Sequence, residues 1–486
     1  MPSFSIHNFG CRATQADADA IEGALVSRGY HRLAADDLAN LVVLNTCTVT
    51  AAADAQTRDA IRKIHRANPL ARIVVTGCYA QRAPEELASI PGVSWVVGNS
   101  HQAEIPRIVD EEFAPPAIAK QGPRSDGSFY PLSRLDSDPL SIARAPAKII
   151  TGNIFADASI SLSAVTAGEG DRTRPILKVQ DGCNQRCAYC VIPSVRGRSR
   201  SLPPDAVIGE VLRLANAGTK EIVLSGINLG SYGRDLDLRA GLPGLVGRIL
   251  SETPLEQLRF SSIEPMDVTQ DFVDLVASSE RLAPHFHMPL QSGSDRVLRN
   301  MRRWYRADHY ARRLELIHER LPNAAIGADV IVGFPGESDA DFQATLAFVA
   351  AHPFSYLHVF SYSARPGTAA AQSTEQVGPA EIRVRARALR ALAAEKAAEF
   401  RGAQALAGGT LRGLTLHRRG ENWTEAITGN YLKMRVAGHW DANQWVEARI
   451  STDPSLSVAR ADLGMLNNPS LDSLRPSGIA KPGKSG

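Results

Sequence analysis

The 486-residue sequence lacks the features that would assign it at once to a membrane, secreted or strongly charged class of protein. No apolar run approaches the ~18 residues that cross a bilayer, and residues 1–8 lack the charged-then-apolar pattern of a signal peptide. Neither sign of charge dominates, because 54 basic side chains face 51 acidic ones. Attraction to a polyanion must therefore come from local clusters. We expect a cytoplasmic protein with no membrane partner.

Cysteine is scarce and unevenly spread. In a long chain without a secretion signal, metal binding or redox chemistry is a better expectation than disulfides. Three cysteines are scattered and three are clustered, so the two groups need separate explanations. The six are Cys11, Cys47, Cys78, Cys183, Cys187 and Cys190.

The pattern of apolar runs predicts an α/β protein of three domains. Residues 1–110 alternate strand-like runs with helical stretches, which indicates a parallel sheet covered by helices. The same alternation over residues 172–402 gives six strand signals and predicts a partial (β/α)6 barrel. Residues 403–465 show short β runs around Gly and Asn turns, typical of a small all-β barrel. Residues 111–171 are interpreted as a linker, and residues 466–486 as a disordered tail.

The predicted elements have the following bounds. In the first domain the strands are 4–8, 41–46, 72–76 and 93–97, and the helices are 16–27 and 51–66. In the central domain the strands are 176–180, 221–225, 257–262, 285–290, 326–332 and 356–360, followed by a helix over 379–401. In the last domain the strands are 411–416, 423–428, 432–436 and 445–450.

The clustered cysteines form Cys-x3-Cys-x2-Cys directly after a predicted strand. Three thiolates on one loop can bind three irons of a cubane cluster and leave the fourth iron open to a small molecule. The alternative is a zinc site, which would need a fourth ligand, and the closest downstream histidine is His285. The spacing resembles the signature of radical S-adenosylmethionine enzymes, whose [4Fe-4S] cluster binds and cleaves S-adenosylmethionine to a 5′-deoxyadenosyl radical. That resemblance places Tyr189 against the adenine.

Polar and small residues follow the predicted barrel strands. Ligands of such barrels lie at the C-terminal ends of the strands, so Gly226, Asn228, Glu264 and Gln291 are predicted to contact S-adenosylmethionine. Asp329 lies inside an apolar run, and a buried carboxylate calls for a ligand or a basic neighbour. The alternative is that these residues only form strand-to-helix turns. No catalytic side chain beyond the cluster ligands is predicted.

Each scattered cysteine stands just past a predicted strand of the first domain. The C-terminal ends of parallel strands share one edge of a sheet, so Cys11, Cys47 and Cys78 are predicted to converge there. The alternative is that they are three small buried residues of the core.

The segments around these cysteines are similar to the N-terminal domain of radical S-adenosylmethionine methylthiotransferases. The similar segments are 10–12 (GCR), 45–50 (NTCTVT), 76–81 (TGCYAQ), 180–183 (QDGC), 196–201 (RGRSRS), 289–294 (PLQSGS) and 332–337 (VGFPGE). In that family the scattered cysteines hold a second [4Fe-4S] cluster. Segments 45–50 and 261–265 (SSIEP) most resemble the branch that acts on threonylcarbamoyladenosine in tRNA, and the last domain resembles a TRAM domain. Thr14 and Asp17 stand where the family more often has Asn and Glu.

The resemblance implies a tRNA methylthiotransferase that adds a methylthio group to C2 of N6-threonylcarbamoyladenosine beside the anticodon. It implies two [4Fe-4S] clusters, S-adenosylmethionine, an electron donor such as flavodoxin or ferredoxin, and an unidentified sulfur donor. Two alternatives within this chemistry are isopentenyladenosine in tRNA and a ribosomal-protein aspartate. A third is a non-catalytic iron–sulfur sensor that binds RNA.

Clusters of arginine are the local basic groups that could bind RNA phosphate. Aromatic residues near them could stack on bases, and the small β domain with Arg418, Arg419 and Trp423 is the favoured RNA-binding surface. A charge run on a helix is often only a solvated face. The other clusters are Arg196, Arg198 and Arg200; Arg299, Arg302 and Arg303; and Arg383, Arg385, Arg387 and Arg390.

Overall fold

The computed structural model describes residues 2–34, 37–113, 146–156, 173–452 and 458–460, which form four sheets. Much of the predicted linker lies outside the described residues, as does the tail 466–486. Of the linker, residues 148–150 form a strand of the first sheet. In the described ranges, no helix is both long enough and apolar enough to span a bilayer.

The first sheet has six parallel strands in the order β2-β1-β3-β4-β5-β6. The apolar strands β3 and β4 are buried along their length, as in a sheet covered on both faces. The strands are β1 (Ser3–Asn8), β2 (His31–Arg32), β3 (Leu41–Thr46), β4 (Arg72–Gly77), β5 (Val93–Gly98) and β6 (Lys148–Ile150). The helices are α1 (Arg12–Val26), α2 (Ala51–Ala67), α3 (Cys78–Arg82), α4 (Pro84–Ala88) and α5 (Ile105–Phe113), with a 3-10 turn at Asn99–Glu104.

The central region is an open barrel of two sheets. One has the order β10-β9-β7-β8 and the other β11-β12-β13, and the parallel bridge between Ser262 and His287 links them. The strands are β7 (Ile176–Asp181), β8 (Arg200–Ser201), β9 (Glu221–Gly226), β10 (Gln257–Phe260), β11 (His285–His287), β12 (Ala325–Val332) and β13 (Tyr356–Ser361). All pairings here are parallel except that of β7 with β8.

Helices cover the outer face of this barrel, where they share one large apolar core with the strands. They are α6 (Ile192–Arg196), α7 (Pro204–Asn216), α8 (Gly241–Glu252), α9 (Gln270–Ala277), α10 (Asp295–Asn300), α11 (Ala307–Arg320), α12 (Asp339–Ala351) and α13 (Pro379–Leu406). Short 3-10 turns lie at Leu229–Ser231, Arg234–Leu236 and Ala370–Gln372.

The C-terminal region is an antiparallel sheet in the order β16-β15-β14-β17-β18. Its inward residues form a separate small core. The strands are β14 (Thr410–Gly420), β15 (Trp423–Thr428), β16 (Lys433–Ala437), β17 (Trp445–Arg449) and β18 (Val458–Arg460).

Two contacts join the barrel to the other two regions, one to the first domain and one to the C-terminal sheet. Ala16 of α1 packs against Ile176 and Val223, so the first domain lies along β7 and β9. At the other end, the guanidinium of Arg259 on β10 donates to the backbone oxygens of Thr428 and Gly429. The site described next lies where the first domain meets the barrel.

Candidate functional site

The three scattered cysteines converge on one edge of the first sheet, as predicted, and we call them the assembled trio. Cys11 is the N-cap of α1, Cys47 follows β3, and Cys78 opens α3 directly after β4. The strands that precede them, β1, β3 and β4, are neighbours in the sheet. Burial, together with the nearby Cys78 and Cys11 sulfurs, raises the pKa of Cys47 to about 12. Three thiolates in this place need a positive centre to hold them ionised.

Two glycines let the chain close around the assembled trio. A Cβ on Gly10 would come within 2.8 Å of the Cβ of Cys47. Gly77 has a φ of +95°, and a Cβ there would lie 2.4 Å from the backbone oxygen of Thr46. Only glycine fits such a close approach without a shift of the backbone.

Arg196 anchors the assembled trio to the barrel. It is 2% exposed, and its Nε donates to Cys78 Sγ at 3.2 Å. Its other nitrogens pair with Asp181 at 3.1 Å and Asp17 at 2.7 Å, and Lys178 contacts both carboxylates. Burial alone would raise the pKa of Asp181, but Arg196 and Lys178 hold it well below its usual range. Because Asp17 belongs to α1, this ion network joins the first domain to β7.

Cys183, Cys187 and Cys190 lie on the loop after β7, and we call them the local trio. The buried amide of Gln180 donates to the backbone oxygens of Asp181 and Gly182 and accepts from the N–H of Asn228. A Cβ on Gly182, whose φ is +72°, would lie 2.0 Å from the backbone oxygen of Arg198. The loop therefore has little freedom where it enters the trio.

A second arginine contacts the local trio. Arg303 donates from Nη1 to Cys187 Sγ at 3.2 Å and pairs with Glu264 through Nη2. Burial raises the pKa of Glu264, and Arg303 opposes that effect. Burial also raises the pKa of Cys190 to about 12, with contributions from the two neighbouring thiols.

A cavity of about 530 Å³ opens beside the local trio. Two of the predicted ligand residues, Asn228 and Glu264, line it, and the amide of Asn228 points toward Cys183 Sγ at 3.9 Å. Trp304, which is 76% exposed, is also part of its wall. The remaining wall residues are Asn184, Gln185, Ser199, Ser231, Arg234, Asp235, Met266, Asp267 and Tyr305.

The other predicted ligand residues lie around this cavity rather than in its wall. Gly226 lies against Gln180, where a Cβ would be 2.9 Å from its Oε1. Tyr189 is partly buried and makes an edge contact with Phe334. Gln291 is buried with a φ of +64°, and its N–H donates to the backbone oxygen of Asp329.

Asp329 has the basic neighbours that its burial requires. His287 and His358 lie 3.3 and 3.2 Å from its Oδ1. Burial opposes ionisation, yet the two imidazoles keep the pKa of Asp329 well below its usual range. In the described residues, these three form the only group of three or more His, Cys, Asp or Glu residues whose ligand atoms all lie within 4.8 Å of one another.

The described cysteines do not form a compact site for a single ion. In neither trio do all three sulfurs lie within 4.8 Å of one another, whereas thiolates around one tetrahedral zinc lie about 3.8 Å apart for Zn–S bonds of ~2.3 Å. A four-iron cluster binds each cysteine through a different iron, so three cysteines can hold it without meeting at one point.

Several basic residues predicted as RNA contacts are instead buried structural groups. Arg196 and Arg200 are 2% and 9% exposed, and Arg385 pairs with Glu337 and Asp339. The buried partners Asp17 of Arg196 and Glu337 of Arg385 lie 179 and 48 positions away, so the local sequence does not reveal these two pairings. Arg303, another arginine predicted to bind RNA phosphate, has a buried side chain and contacts Cys187 instead.

Comparison with known protein families finds two matches along the chain. Residues 3–98 match the family described as Uncharacterized protein family UPF0004. Residues 177–349 match the Radical SAM superfamily. The two matches contain the assembled and the local trio, respectively.

Curated relatives match over most of the chain. The threonylcarbamoyladenosine tRNA methylthiotransferase MtaB of Aquifex aeolicus is 35% identical over 447 residues, which cover 92% of this chain and 99% of the relative. The MtaB of Bacillus subtilis is 36% identical, with 82% of each chain covered. A tRNA-2-methylthio-N(6)-dimethylallyladenosine synthase of Paenarthrobacter aurescens is 33% identical, covering 82% of this chain and 72% of the relative.

Among solved structures, the fold is similar to that of the radical S-adenosylmethionine methyltransferase TsrM of Kitasatospora setae. The TM-score is 0.52 at 17% identity, covering 76% of this chain and 77% of the other. That structure contains cobalamin and a [4Fe-4S] cluster. The similarity shows that the two chains share the overall α/β fold.

Proposed function

The chain belongs to the methylthiotransferase family of radical S-adenosylmethionine enzymes, and from that membership we propose that it methylthiolates C2 of N6-threonylcarbamoyladenosine beside the anticodon of tRNA. The observation that carries the proposal is the presence of two separate cysteine trios, connected through Arg196. That residue donates to Cys78 of the assembled trio and pairs with Asp181, two positions before Cys183 of the local trio.

The target carbon explains why both trios are needed. An aromatic C2–H has no leaving group and no useful acidity, so ordinary acid–base catalysis does not reach it. When bound, the two [4Fe-4S] clusters and S-adenosylmethionine supply a 5′-deoxyadenosyl radical, sulfur and a methyl group, and the protein supplies position and electrostatics. Cys183, Cys187 and Cys190 would hold one cluster, and Cys11, Cys47 and Cys78 the other.

The side chains around the local trio would bind S-adenosylmethionine. Asn228 and Glu264 line the 530 Å³ cavity and offer an amide and a carboxylate for hydrogen bonds to the ribose and the amino acid part. Arg303 keeps Glu264 oriented and places a positive charge next to Cys187. Trp304 forms part of the wall and presents an exposed apolar ring there.

The partners follow from the chemistry. A tRNA is the substrate, a low-potential donor such as flavodoxin or ferredoxin would supply electrons, and a separate protein or sulfide source would restore sulfur after each turnover. We therefore propose that the reaction takes place in the cytoplasm.

Anaerobic reconstitution followed by nucleoside mass spectrometry tests the proposal. The reconstituted chain should contain about eight irons, against about four for a protein with one cluster. With S-adenosylmethionine and a reductant, it should convert tRNA carrying threonylcarbamoyladenosine to the 2-methylthio derivative and release 5′-deoxyadenosine.

Matched RNA substrates separate the alternatives. The same tRNA carrying isopentenyladenosine should remain unmodified, and modification of that RNA in preference to the first would reassign the substrate. RNA binding without 5′-deoxyadenosine would instead indicate the non-catalytic sensor.

A further inference from the structure

A second cavity, of about 360 Å³, lies where the three regions of the chain meet, and we call it the Arg12 cavity. Its wall contains three arginines and a histidine, and none of its described lining residues is acidic. The wall consists of Arg12, Gln15, Thr173, Arg174, Ile176, Val223, Leu416, His417, Arg418 and Tyr431. It is thus a concave, cationic site, separate from the cavity beside the local trio.

Arg12 is the most informative residue of this wall. It directly follows Cys11 and begins α1, so its position is fixed by the assembled trio. Its Nη2 donates to the hydroxyl of Tyr431 at 3.3 Å, and its guanidinium lies 6.0 Å from that ring centre. Within the ranges the structure covers, it forms no ion pair with any carboxylate, so a half-buried cation keeps donors available for a ligand.

The charges around Tyr431 do not balance. Arg174 and Arg259 share one carboxylate, that of Glu221, at 3.2 and 2.6 Å, and Arg12 adds a third guanidinium. Burial raises the pKa of Tyr431, but Arg12, Arg174 and Arg259 together bring it below its usual value. The remaining positive charge favours an anion.

A hydrogen-bonding group in the same wall also lacks a protein partner. The Oγ1 of Thr173 is buried without a hydrogen bond in the described structure. Buried hydroxyls normally find partners, so a rotation of this side chain toward the cavity would let its oxygen pair with a bound ligand. A guanidinium beside a hydroxyl is a suitable pair for a carboxylate.

We propose that the Arg12 cavity binds the carboxylate of the threonylcarbamoyl group and thereby selects the modified base, an inference that rests on the proposed function. In adenine, C2 and the carbon that bears N6 both flank N1, so a group on N6 lies within a few bonds of C2. When C2 lies beside the assembled trio, the carboxylate lies near Arg12, the residue that follows Cys11. A backbone phosphate is the competing oxyanion, but it lies on the far side of the ribose from the reacting edge of the base.

Binding measurements with two RNAs test this inference. The dissociation constants of tRNA with and without the threonylcarbamoyl group would be measured for the reconstituted wild type, Arg12→Gln and Arg12→Lys. The wild type should prefer the modified RNA, and Arg12→Gln should reduce that preference by about tenfold or more, as expected for loss of a charged hydrogen bond. Arg12→Lys keeps the charge and should retain part of the preference.

Two controls show whether a change in RNA preference is specific to the loss of the Arg12 side chain. Arg107→Gln changes an exposed arginine of α5 that pairs with Glu104 and Glu111, and it should leave the preference intact. The iron content of each variant shows whether the cluster beside Cys11 is intact. An intact Arg12→Gln protein that keeps the full preference, or that loses affinity for both RNAs equally as for a phosphate contact, overturns the inference.

The outcome can be separated from that of the proposed function. If the wild type forms the methylthio product but Arg12→Gln still discriminates between the RNAs, the function stands and the carboxylate site is wrong. If no product forms although discrimination depends on Arg12, the site stands as a binding site and the proposed reaction is wrong.

Discussion

The local trio and the assembled trio each consist of three cysteines, but the fold brings the cysteines together in two different ways. The local trio lies within one loop, and its three cysteines are all partly exposed. The assembled trio exists only when β1, β3 and β4 pair; it buries Cys47 and Cys78 to 3% and 2% exposure and leaves Cys11 exposed. A loop supplies three partly exposed ligands beside an open cavity, whereas a sheet edge supplies two buried ligands and one exposed ligand between domains.

In both trios an arginine contacts a cysteine sulfur, but the carboxylates that hold the arginine differ. In each, an arginine donates to a cysteine sulfur at 3.2 Å, Arg196 to Cys78 and Arg303 to Cys187. Arg196 is supported by two buried carboxylates from different domains, while Arg303 is supported by Glu264 in the cavity wall. The first arginine thus also connects domains, and the second connects the trio to its cavity.

Removing one ligand from each trio should give the largest contrast. Cys187→Ala should abolish both 5′-deoxyadenosine and methylthiolated RNA, because the local trio would hold the S-adenosylmethionine cluster. Cys47→Ala should keep 5′-deoxyadenosine formation and lose the methylthio product. Both variants should bind about four irons instead of about eight, and chromatography with mass spectrometry measures both products.

Two outcomes for Cys47→Ala would contradict the roles assigned to the trios. Methylthiolated RNA made by Cys47→Ala would show that the assembled trio does not carry the inserted sulfur. Loss of 5′-deoxyadenosine in that variant, with the local cluster intact by its spectrum, would show that the two sites cannot act separately.

Replacing Arg196 tests its role as the connection between domains. Arg196→Met removes the guanidinium that pairs with both Asp17 and Asp181, and breaking a buried ion network costs about 3–5 kcal/mol. Arg303→Met leaves one carboxylate, Glu264, beside the cavity, so we expect a smaller loss of about 2 kcal/mol. The midpoints of anaerobic urea unfolding measure both.

A control variant separates the charge from the packing of the arginine stem. Arg196→Lys keeps a cation near both carboxylates and should recover part of the loss. Equal destabilisation by Arg196→Met and Arg303→Met would contradict a special role for Arg196 between the domains.

The strands that precede Cys47 and Cys78 can be predicted from the sequence more accurately than the ion pairs around the two trios. The strands before Cys47 and Cys78 are predicted within a residue of their ends, since continuous apolar runs mark buried parallel strands. Helix α1 begins at Arg12 rather than at the predicted residue 16, because its cap is Cys11, whose side chain makes no capping hydrogen bond. The usual Ser, Thr, Asp or Asn signal of a helix start is therefore missing.

The structural role of Arg196 could not be predicted from its neighbours in the chain. It lies in the basic segment 196–201, which suggests phosphate binding, but its partner Asp17 is 179 positions away. Only the packing of α1 against β7 brings the two together. The same holds for Arg365 and Asp54, a buried pair that joins the barrel to α2.

The smallest expected effect concerns the amides that point at one sulfur of each trio. The side-chain amide of Asn99 lies 3.6 Å from Cys78 Sγ, and that of Asn228 lies 3.9 Å from Cys183 Sγ. Hydrogen bonds to cluster sulfurs raise the reduction potential. Asn99→Leu should lower the potential of the assembled cluster by about 20–60 mV, the one-electron equivalent of a net hydrogen bond of about 0.5–1.5 kcal/mol.

Measuring each cluster alone makes this small shift interpretable. Potentiometric titration followed by electron paramagnetic resonance would use chains in which the cysteines of the other trio are changed to Ala. Asn228→Leu should shift only the local cluster, and by less than Asn99→Leu shifts the assembled one, because its amide is farther from the sulfur and faces an open cavity where water replaces it. A larger shift for Asn228→Leu would mean that enclosure between domains does not strengthen these contacts.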